Sequence, residues 1–291
     1  MAWVDTILQG LLLGGLYALF ATGLSLIFGV MRIVNLAHGD LSILAAFLAV
    51  VVVEALGLNP FVALILVVPV MVLLGYALQM LVLNRLLGRG ILLLILVTFG
   101  FSIIIQNALL ETFSADSRRL NPGGIETASL SLGSSGLAIG WFPFITLGAA
   151  VLILVGLQVV ISRLSVGRAF RATSDDQETA ELMGIDNRRL YGVAMALSLG
   201  IVAVAGVFLG IRTTFTFSSG PDRLLFAFEA VIIGGLGSLW GTLVGGAVLG
   251  IAQTVGAKLS PGWGILTGHL VFLAVLLLRP QGLFAKARRI A

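Results

Sequence analysis

The chain has 291 residues, of which 59% are hydrophobic and only 10% are charged, with a formal net charge of +4. Soluble domains carry roughly 25% charged residues, so this composition excludes a water-soluble globular fold and indicates that the bilayer is the solvent. The absence of cysteine excludes disulfides and thiolate-bound metals, and the small positive charge forms no basic domain that would bind nucleic acid.

Apolar runs long enough to cross a bilayer recur along the whole chain, since a spanning helix needs about 20 apolar residues. They predict an all-α polytopic membrane protein with about eight or nine spans, some of them broken or re-entrant, in a single transmembrane domain over residues 1–291. The last of these runs are short or interrupted by glycine. The predicted spans are roughly 6–30, 37–56, 60–83, 91–110, 141–162, 190–211, 225–243, 244–258 and 265–279.

The first polar signal is the decapeptide MRIVNLAHGD at 31–40, which places Asn35, His38 and Asp40 between two apolar runs. One interpretation is an ordinary loop between helices, with Asn35 as a cap and the other two side chains in water. The other is a helix break beside a translocation path, because non-helical backbone at membrane depth is tolerated only where protein or water satisfies it. In that case all three residues line the path of the substrate.

The fourth predicted span carries polar side chains at helical spacing. A stripe of this kind either hydrogen-bonds to neighbouring helices or faces a wet path, and Ser102 and Gln106 are candidate pathway residues for that reason. The stripe consists of Thr98, Ser102, Gln106 and Asn107.

Glu229 is a further charge inside an apolar run, AFEAVIIGG. Because a carboxylate is costly in hydrocarbon, Glu229 must face the bundle interior, pair with a cation or lie near an interface. An interfacial position and a pathway position both remain open, with Arg223 or Arg212 as candidate partners. The glycines that follow suit close helix packing or a narrow passage. Their four-residue spacing is Gly237, Gly241 and Gly245.

Two stretches are too polar to lie in the membrane, and their charges indicate opposite sides. Arginines in short loops mark the cytoplasm, which makes 163–189 a cytoplasmic loop and 111–140 a periplasmic one. Counting spans back places the N-terminus outside, unless 31–40 is unwound within the membrane, in which case the N-terminus is cytoplasmic. The other basic residues that mark the inner side are Arg85, Arg89, Arg279, Lys286, Arg288 and Arg289.

The charged loop predicts a short helix over 175–183. Ser174 is a suitable N-cap, Gln177 completes a capping box, and Gly184 is placed to end the helix. A helix this short is marginal alone in water and needs a docking surface. That surface is either its own protein and lipid headgroups or a groove on a soluble partner, and the mixture of apolar and acidic residues suits a protein groove better than an anionic leaflet.

No motif in the chain indicates bond chemistry. The patterns G-x-x-x-x-G-K-[ST], H-E-x-x-H and G-x-S-x-G are all absent, so neither a phosphate-binding loop, a zinc site nor a serine nucleophile is predicted. We therefore expect a non-catalytic protein with no catalytic residue, metal or cofactor of its own.

Four segments, in order along the chain, carry a family resemblance. They are GVMRIVNLAHGDL from residue 29, GRAFRATSDDQETAELMGI from residue 167, FEAVIIGGLGSLWGTLVGGAVLG at 228–250, and LLLRPQGLF at 276–284. Together they resemble the permeases of branched-chain amino-acid ABC transporters, and the chain is similar to the shorter of the two paired permease subunits.

The resemblance implies a multi-pass subunit of an ATP-binding-cassette importer in the bacterial inner membrane. Its implied partners are two cytoplasmic ATP-binding subunits, a second related permease, a periplasmic substrate-binding protein and membrane lipid. The implied substrate is a branched-chain or other hydrophobic amino acid, with urea, amides or another small polar solute as the alternative. The resemblance also implies roles in ATPase coupling for Gly167, Arg168, Arg171, Asp176, Ala180, Gly184 and Ile185.

Two other classes of protein are kept as rivals, an ion-coupled secondary carrier and a passive channel or structural membrane subunit, and neither needs a docking helix. An ion-coupled secondary carrier would use intramembrane ionisable residues such as His38 and Asp40 as proton carriers. Such a carrier has no need of a docking helix, so the capped helix in the charged loop favours the importer.

Overall fold

A computed structural model describes residues 2–125, 128–131 and 138–284, so Lys286, Arg288 and Arg289 lie outside the described residues. The helices are α1 (Ala2–Met31), α2 (His38–Leu56), α3 (Pro60–Leu81), α4 (Ile91–Phe113), α5 (Trp141–Arg163), α6 (Ser165–Asp175), α7 (Gln177–Leu182), α8 (Asn187–Arg212), α9 (Gly220–Gly234), α10 (Leu239–Leu259) and α11 (Trp263–Leu278). A 3₁₀ turn covers Leu83–Arg85, and the strands β1 (Ser129–Ser131) and β2 (Ala138–Gly140) pair antiparallel.

The predicted all-α polytopic class is confirmed. Within the described residues, seven helices are long and apolar enough to cross a membrane, and the shorter apolar helix α11 adds to them. Six of the seven correspond to the first six predicted spans.

The prediction of a span over 225–243 is wrong. The structure has a 15-residue helix, α9, which ends at Gly234, and a new helix starts at Leu239. Gly235 and Gly237 adopt positive φ values of 105° and 77°, a region that L side chains avoid and that stops a helix. The predicted span over 244–258 lies within α10.

Contacts divide the chain into two compact units. The first contains the described residues of Met1–Ser25, Gly124–Leu154 and Leu225–Ala291. The second contains Leu26–Gly123 and Val155–Leu224.

Glycine permits very close helix packing in the first unit. A Cβ at Gly245 of α10 would overlap the carbonyl oxygen of Ala230 in α9, and one at Gly250 would overlap that of Gly10 in α1. The backbones therefore touch at these positions, which is how small residues stabilise helix pairs in lipid. Packing accounts for Gly241 and Gly245 of the four-residue spacing seen in the sequence, whereas Gly237 lies in the turn between α9 and α10.

Helix α8 is the buried centre of the second unit. It packs along α3 and against α2, and most of its residues are shielded from the surroundings. Gly206 of α8 lies so close to the carbonyl oxygen of Ser42 in α2 that a Cβ would overlap it.

We expect Gly206→Ala to destabilise the protein by about 1–3 kcal/mol, because overpacking forces the backbones of α8 and α2 apart. The control is Gly156→Ala in α5, where a Cβ meets nothing within 4 Å. That change should be neutral or mildly stabilising, since alanine is the better helix former by about 1 kcal/mol. Thermal unfolding in detergent, followed by loss of monodisperse protein, measures both. Equal unfolding temperatures for the two variants would contradict the packing described above.

Candidate functional site

The decapeptide at 31–40 contains a helix break. α1 ends at Met31, α2 begins at His38, and the intervening residues are not helical. The Asn35 side chain accepts a hydrogen bond from the N–H of Ala37 at 3.0 Å, and its carbonyl accepts from the N–H of His38 at 3.2 Å. Asn35, His38 and Asp40 are each at most 1% exposed, so the interpretation as a water-exposed loop is wrong.

The break lies at the depth of a membrane span. The N–H of Leu36 donates to the hydroxyl of Thr98 at 3.3 Å. Thr98 follows the start of α4 by seven residues, which is about 10 Å along the helix axis. Asp40 contacts Ser102, about 16 Å along the same axis and near its middle. The chain therefore unwinds beside the first half of α4, where protein groups must replace water.

Asp40 is the centre of a polar cluster between α2 and α4. The hydroxyl of Ser102 donates to one carboxylate oxygen at 2.6 Å, and the amide of Gln106 donates to the other at 3.0 Å. Gln106 also donates to Ser102 at 3.2 Å. Hydrogen bonds to a charged acceptor are the strong ones, and the first turn of a helix favours an anion. Thr98, Ser102 and Gln106 thus bond to neighbouring elements, whereas Asn107 bonds to the carbonyl of Ile103 in its own helix.

A second break meets the first at Asp40. Residues 213–219 leave helical form between α8 and α9, and Phe215 exchanges two backbone hydrogen bonds with Arg118 at 2.9 and 3.0 Å. Gly220, the first residue of α9, packs so closely on Gly39 and Asp40 that a Cβ on either glycine would overlap the other segment. The gap between the predicted spans 190–211 and 225–243 predicted a loop here, but neither its contact with Asp40 nor the start of α9 at Gly220 was predicted. The Gly-Pro dipeptide at 220–221 was the available signal.

The expected partners of Glu229 are wrong. Its carboxylate pairs with the Nδ1 atom of His269 on α11, and not with Arg223 or Arg212. Glu229 is 1% exposed, so it lies inside the first unit and not at an interface with water. Burial demands such a pair, because a lone carboxylate in a low dielectric is costly.

Aromatic contacts connect the Glu229–His269 pair to other helices of the first unit. The His269 ring stacks on Phe226 with a centroid distance of 6.1 Å and an interplanar angle of 17°. Phe226 lies 5.2 Å from Tyr17, whose hydroxyl donates to the side chain of Gln253 at 2.5 Å. Four helices, α1, α9, α10 and α11, are joined in this way. A pathway role for Glu229 stays a prediction.

The loop at 163–189 forms two helices, α6 and α7. The predicted short helix over 175–183 is present as α7, which starts two residues later than expected, whereas α6 was not predicted. Asp176 separates them in an extended conformation, and its carboxylate accepts from the N–H groups of Glu178 and Thr179 at 3.0 and 3.1 Å. Asp176, and not Ser174, is therefore the N-cap of α7. The two side chains are equally good caps, and Ser174 is engaged elsewhere.

The Thr179 hydroxyl, followed by the backbone N–H groups, lowers the pKa of Asp176 below its ordinary value of 3.8. Because the folded pKa is the lower one, the contribution of this cap is complete above about pH 4. It is lost as the pH falls through the lowered pKa.

The end of α7 follows the prediction. Gly184 has φ 85°, its N–H donates to the carbonyl of Glu181 at 2.9 Å, and the N–H of Ile185 donates to that of Ala180 at 3.0 Å. These two bonds form a Schellman motif, which needs a left-handed residue after the helix.

The predicted coupling residues divide into buried and exposed ones. Gly167 and Ala180 are buried, and a Cβ at Gly167 would overlap the end of α5 at Ile161. Arg171 donates to the carbonyl of Ile161. The outward-facing side chains include Arg168, Asp176 and two that the predicted set omitted, Leu182 and Met183. The last two are 87% and 78% exposed.

Hydrogen bonds tie α6 to the first break. The Ser174 hydroxyl donates to the carbonyl of Gly29 at 2.7 Å, and the Arg32 guanidinium donates to the carbonyl of Ser174 at 3.0 Å. Arg32 itself adopts φ 53°, which is unusual for a residue other than glycine. At the other end, the Thr173 hydroxyl bonds to the side chain of Asn187 at 2.7 Å.

Long apolar helices, breaks at membrane depth and a buried polar cluster at their junction define a polytopic membrane protein of the transporter type. The chain belongs to the family of the branched-chain amino acid transport system permease component, whose family model matches residues 6–278. The resemblance noted in the sequence is thereby confirmed.

Individual relatives match over nearly the whole chain. The high-affinity branched-chain amino acid transport system permease protein BraD of Pseudomonas aeruginosa is 28% identical, over 98% of this chain and 96% of BraD. LivH of Escherichia coli K12, which carries the same description, is 26% identical over the same shares of the two chains. LivM of Salmonella typhimurium, also a permease protein of such a system, is 25% identical, over 94% of this chain and 68% of LivM.

We expect His269→Leu to destabilise the protein by about 3 kcal/mol, because the change leaves the Glu229 carboxylate buried without its partner. The double variant Glu229→Leu/His269→Leu should recover most of the loss, since the buried charge is then gone. Thermal unfolding of both single variants and of the double variant gives the coupling free energy of the pair. Additive effects of the two substitutions would show that the pair is not a unit.

Proposed function

We propose that the chain is the membrane-spanning permease subunit of an ATP-binding-cassette importer in a bacterial inner membrane. The observation that carries this proposal is the family match over residues 6–278, joined to a capped helix, α7, that presents apolar side chains outward. The chain itself catalyses no bond chemistry under this proposal. Two cytoplasmic ATP-binding subunits hydrolyse ATP, and a periplasmic protein delivers the solute.

The solute is a branched-chain or other hydrophobic amino acid. Support comes from the relatives, BraD, LivH and LivM, whose descriptions all specify branched-chain amino acid transport. Those descriptions favour an amino acid over urea or an amide. The match to LivM, which is the longer chain, also supports a second, related permease as the partner within the membrane.

Coupling runs through α7. Leu182 and Met183 are large apolar side chains in an exposed position, and they suit a groove on the ATP-binding subunit. Arg168 and Asp176 orient the segment, while Gly167, Ala180 and Ile185 hold it on its own chain. ATP binding in the partner then moves α6 and α7, and with them the break at 32–37.

The path for the solute passes the junction of the two breaks. Asn35, His38, Asp40, Ser102 and Gln106 supply polar groups at membrane depth, and Gln106 is only partly buried. Such groups offer weak contacts to a zwitterion, which suits a permease because it must release what it carries. Glu229 is the further pathway candidate.

Gly184→Ala should weaken the attachment of the ATP-binding subunit. Alanine is strained at φ 85° by about 1 kcal/mol, and the distortion falls where α7 presents Leu182 and Met183. The control is Gly57→Ala, another left-handed cap with φ 64° and open space around it, at the far end of α2. The measurement is the amount of ATP-binding subunit that co-purifies with the tagged permease. We expect at least a fivefold loss for Gly184→Ala and none for Gly57→Ala. Equal retention would contradict coupling through α7.

Asp40→Asn should reduce ATP-dependent leucine uptake at least tenfold in proteoliposomes that contain the complete importer. The substitution preserves the shape of the side chain and removes the charge that Ser102 and Gln106 bond. The control is Asn107→Ala on the same α4 helix, whose side chain bonds only within that helix. Normal uptake by Asp40→Asn, with the ATP-binding subunits retained, would remove the Asp40 cluster from the path.

The absence of cysteine makes the sidedness directly testable. We place the loop at 84–90 and the α6–α7 segment on the cytoplasmic side, the break at 32–37 in the cytoplasmic half of the membrane, and residue 116 outside. Although the break lies within the membrane, α1 and α2 are each long enough to cross it, so the chain reverses direction at the break and the N-terminus is outside. Single substitutions Val4→Cys, Asp116→Cys and Leu182→Cys fall on exposed positions. A membrane-impermeant maleimide should label the first two in spheroplasts and the third only in inverted vesicles. Labelling of Val4→Cys from the inner side would reverse the topology of α1.

A further inference from the structure

A cavity of about 530 Å³ lies in the second unit, between α7, the start of α8, the end of α1 and the segment that leads into α4. Its size is in the range of pockets that bind small molecules. It is separate from the Asp40 cluster, and none of the roles proposed so far involves it.

Tyr191 places a buried hydroxyl group in the wall of the cavity. The residue is 3% exposed and lines the cavity, and its hydroxyl has no hydrogen-bond partner within the described part of the chain. Buried hydroxyl groups nearly always have a partner, because leaving one unsatisfied is costly. A ligand in the cavity would supply that partner once a small rotation of the Tyr191 ring exposes the hydroxyl, which has less than 1 Å² of accessible surface.

The charges around Tyr191 have both signs. Arg32 and Arg188 line the cavity, and so does Glu181 of α7. Arg32 donates to Ser174 and Glu181 accepts from Asn187 at 3.1 Å, but a guanidinium has five donors and a carboxylate about four acceptor sites. Each group therefore keeps capacity for a ligand. Two cations and one anion suit a molecule with one carboxylate and one ammonium group.

The opposite wall is apolar. Leu87, Ile91 and Leu94 line the cavity on the side of α4, together with Ile33 from the break. An apolar wall facing a polar one matches a small molecule with a charged end and a hydrocarbon end.

We propose that this cavity binds a free hydrophobic amino acid from the cytoplasm, and that the bound amino acid slows transport. This inference rests on the proposed function, which supplies the amino acid as product. The carboxylate pairs with Arg188 and Arg32, the ammonium pairs with Glu181, and the Tyr191 hydroxyl donates to the carboxylate. The side chain packs against Leu87 and Ile91.

A ligand in this position bridges α7 and α8. It stabilises the arrangement in which the two helices enclose the cavity, and it opposes any movement of α7 that opens it. Since α7 is the proposed contact with the ATP-binding subunit, an accumulating product would hold the importer in one state. The device would limit uptake once the cytoplasm is supplied.

The test uses proteoliposomes in which the complete importer has its ATP-binding subunits facing the bath. The lumen holds the binding protein and labelled L-leucine, so that ATP in the bath drives release of label. Unlabelled L-leucine in the bath should slow release at least fivefold. 4-Methylpentanoate, which lacks the ammonium, and L-leucinamide, which lacks the carboxylate, should each need at least tenfold higher concentration.

Substitutions of the residues that line the cavity test whether leucine acts there. Tyr191→Phe should raise the half-inhibiting leucine concentration at least tenfold, because it removes a hydrogen bond to a charged carboxylate. Arg188→Gln should raise it at least tenfold, because it removes a charged pair. Glu181→Gln should abolish the preference for leucine over 4-methylpentanoate. The controls are Arg189→Gln and Glu178→Gln, which neutralise neighbouring charges outside the cavity lining and should behave like the unmodified importer.

ATP-driven release that bath leucine does not slow, or that it slows equally in all variants, overturns the inference and leaves the proposed function intact. Absence of ATP-driven release counts against the proposed function. In that event equilibrium binding of labelled L-leucine to the complex in nanodiscs, without binding protein, decides the inference. Binding that Arg188→Gln and Tyr191→Phe leave unchanged overturns it.

Discussion

Backbone groups inside a bilayer need protein partners, and the two helix breaks of this chain meet that requirement with very few side chains. Asn35 and Thr98 bind the N–H groups of the first break at membrane depth, whereas the second break starts at the outer side, where Phe215 pairs its backbone with Arg118. Each unpaired group would otherwise cost several kcal/mol in hydrocarbon, roughly the cost of an amide transferred there without a partner. The position of Asp40 follows from this requirement, because it is the side chain at which the two breaks meet.

Close backbone contact makes that junction feasible. Gly39 brings the backbone of α2 against Gly220 of α9, Gly220 leaves room for the Asp40 carboxylate, and Gly206 brings the backbone of α8 against α2. Lipid offers no hydrophobic gain for helix association, so short backbone distances and hydrogen bonds must stabilise the bundle. The abundance of glycine, 37 residues in all, has this physical basis.

Hydropathy alone was sufficient to predict six of the spans, since length and apolar content decide whether a segment crosses a bilayer. The junction of Asp40 with Ser102 and Gln106 was only partly accessible, because the i, i+4 spacing revealed one face of α4 but not its neighbour. Glu229 shows the limit more sharply. Its partner His269 is 40 residues away on another helix, and no local rule connects the two.

Local rules also failed where two residues have the same preference for one position and tertiary contacts decide which of them occupies it. Ser174 and Asp176 are both good N-caps, and the bond from Ser174 to the carbonyl of Gly29 left Asp176 as the cap of α7. Gly184, by contrast, was predictable because only one residue near that end tolerates a left-handed backbone.

The two bonds at Ser174 have a mechanical consequence. The Ser174 hydroxyl donates to the carbonyl of Gly29 near the end of α1, and Arg32, inside the break, donates to the carbonyl of Ser174. One residue of α6 is therefore hydrogen-bonded to the chain on both sides of the point where α1 ends. Any displacement of α6 must carry the end of α1 with it or rupture both bonds. Leu36 and Asp40 follow Arg32 within eight residues, so a push received by α6 reaches the middle of α4 through eight residues of backbone.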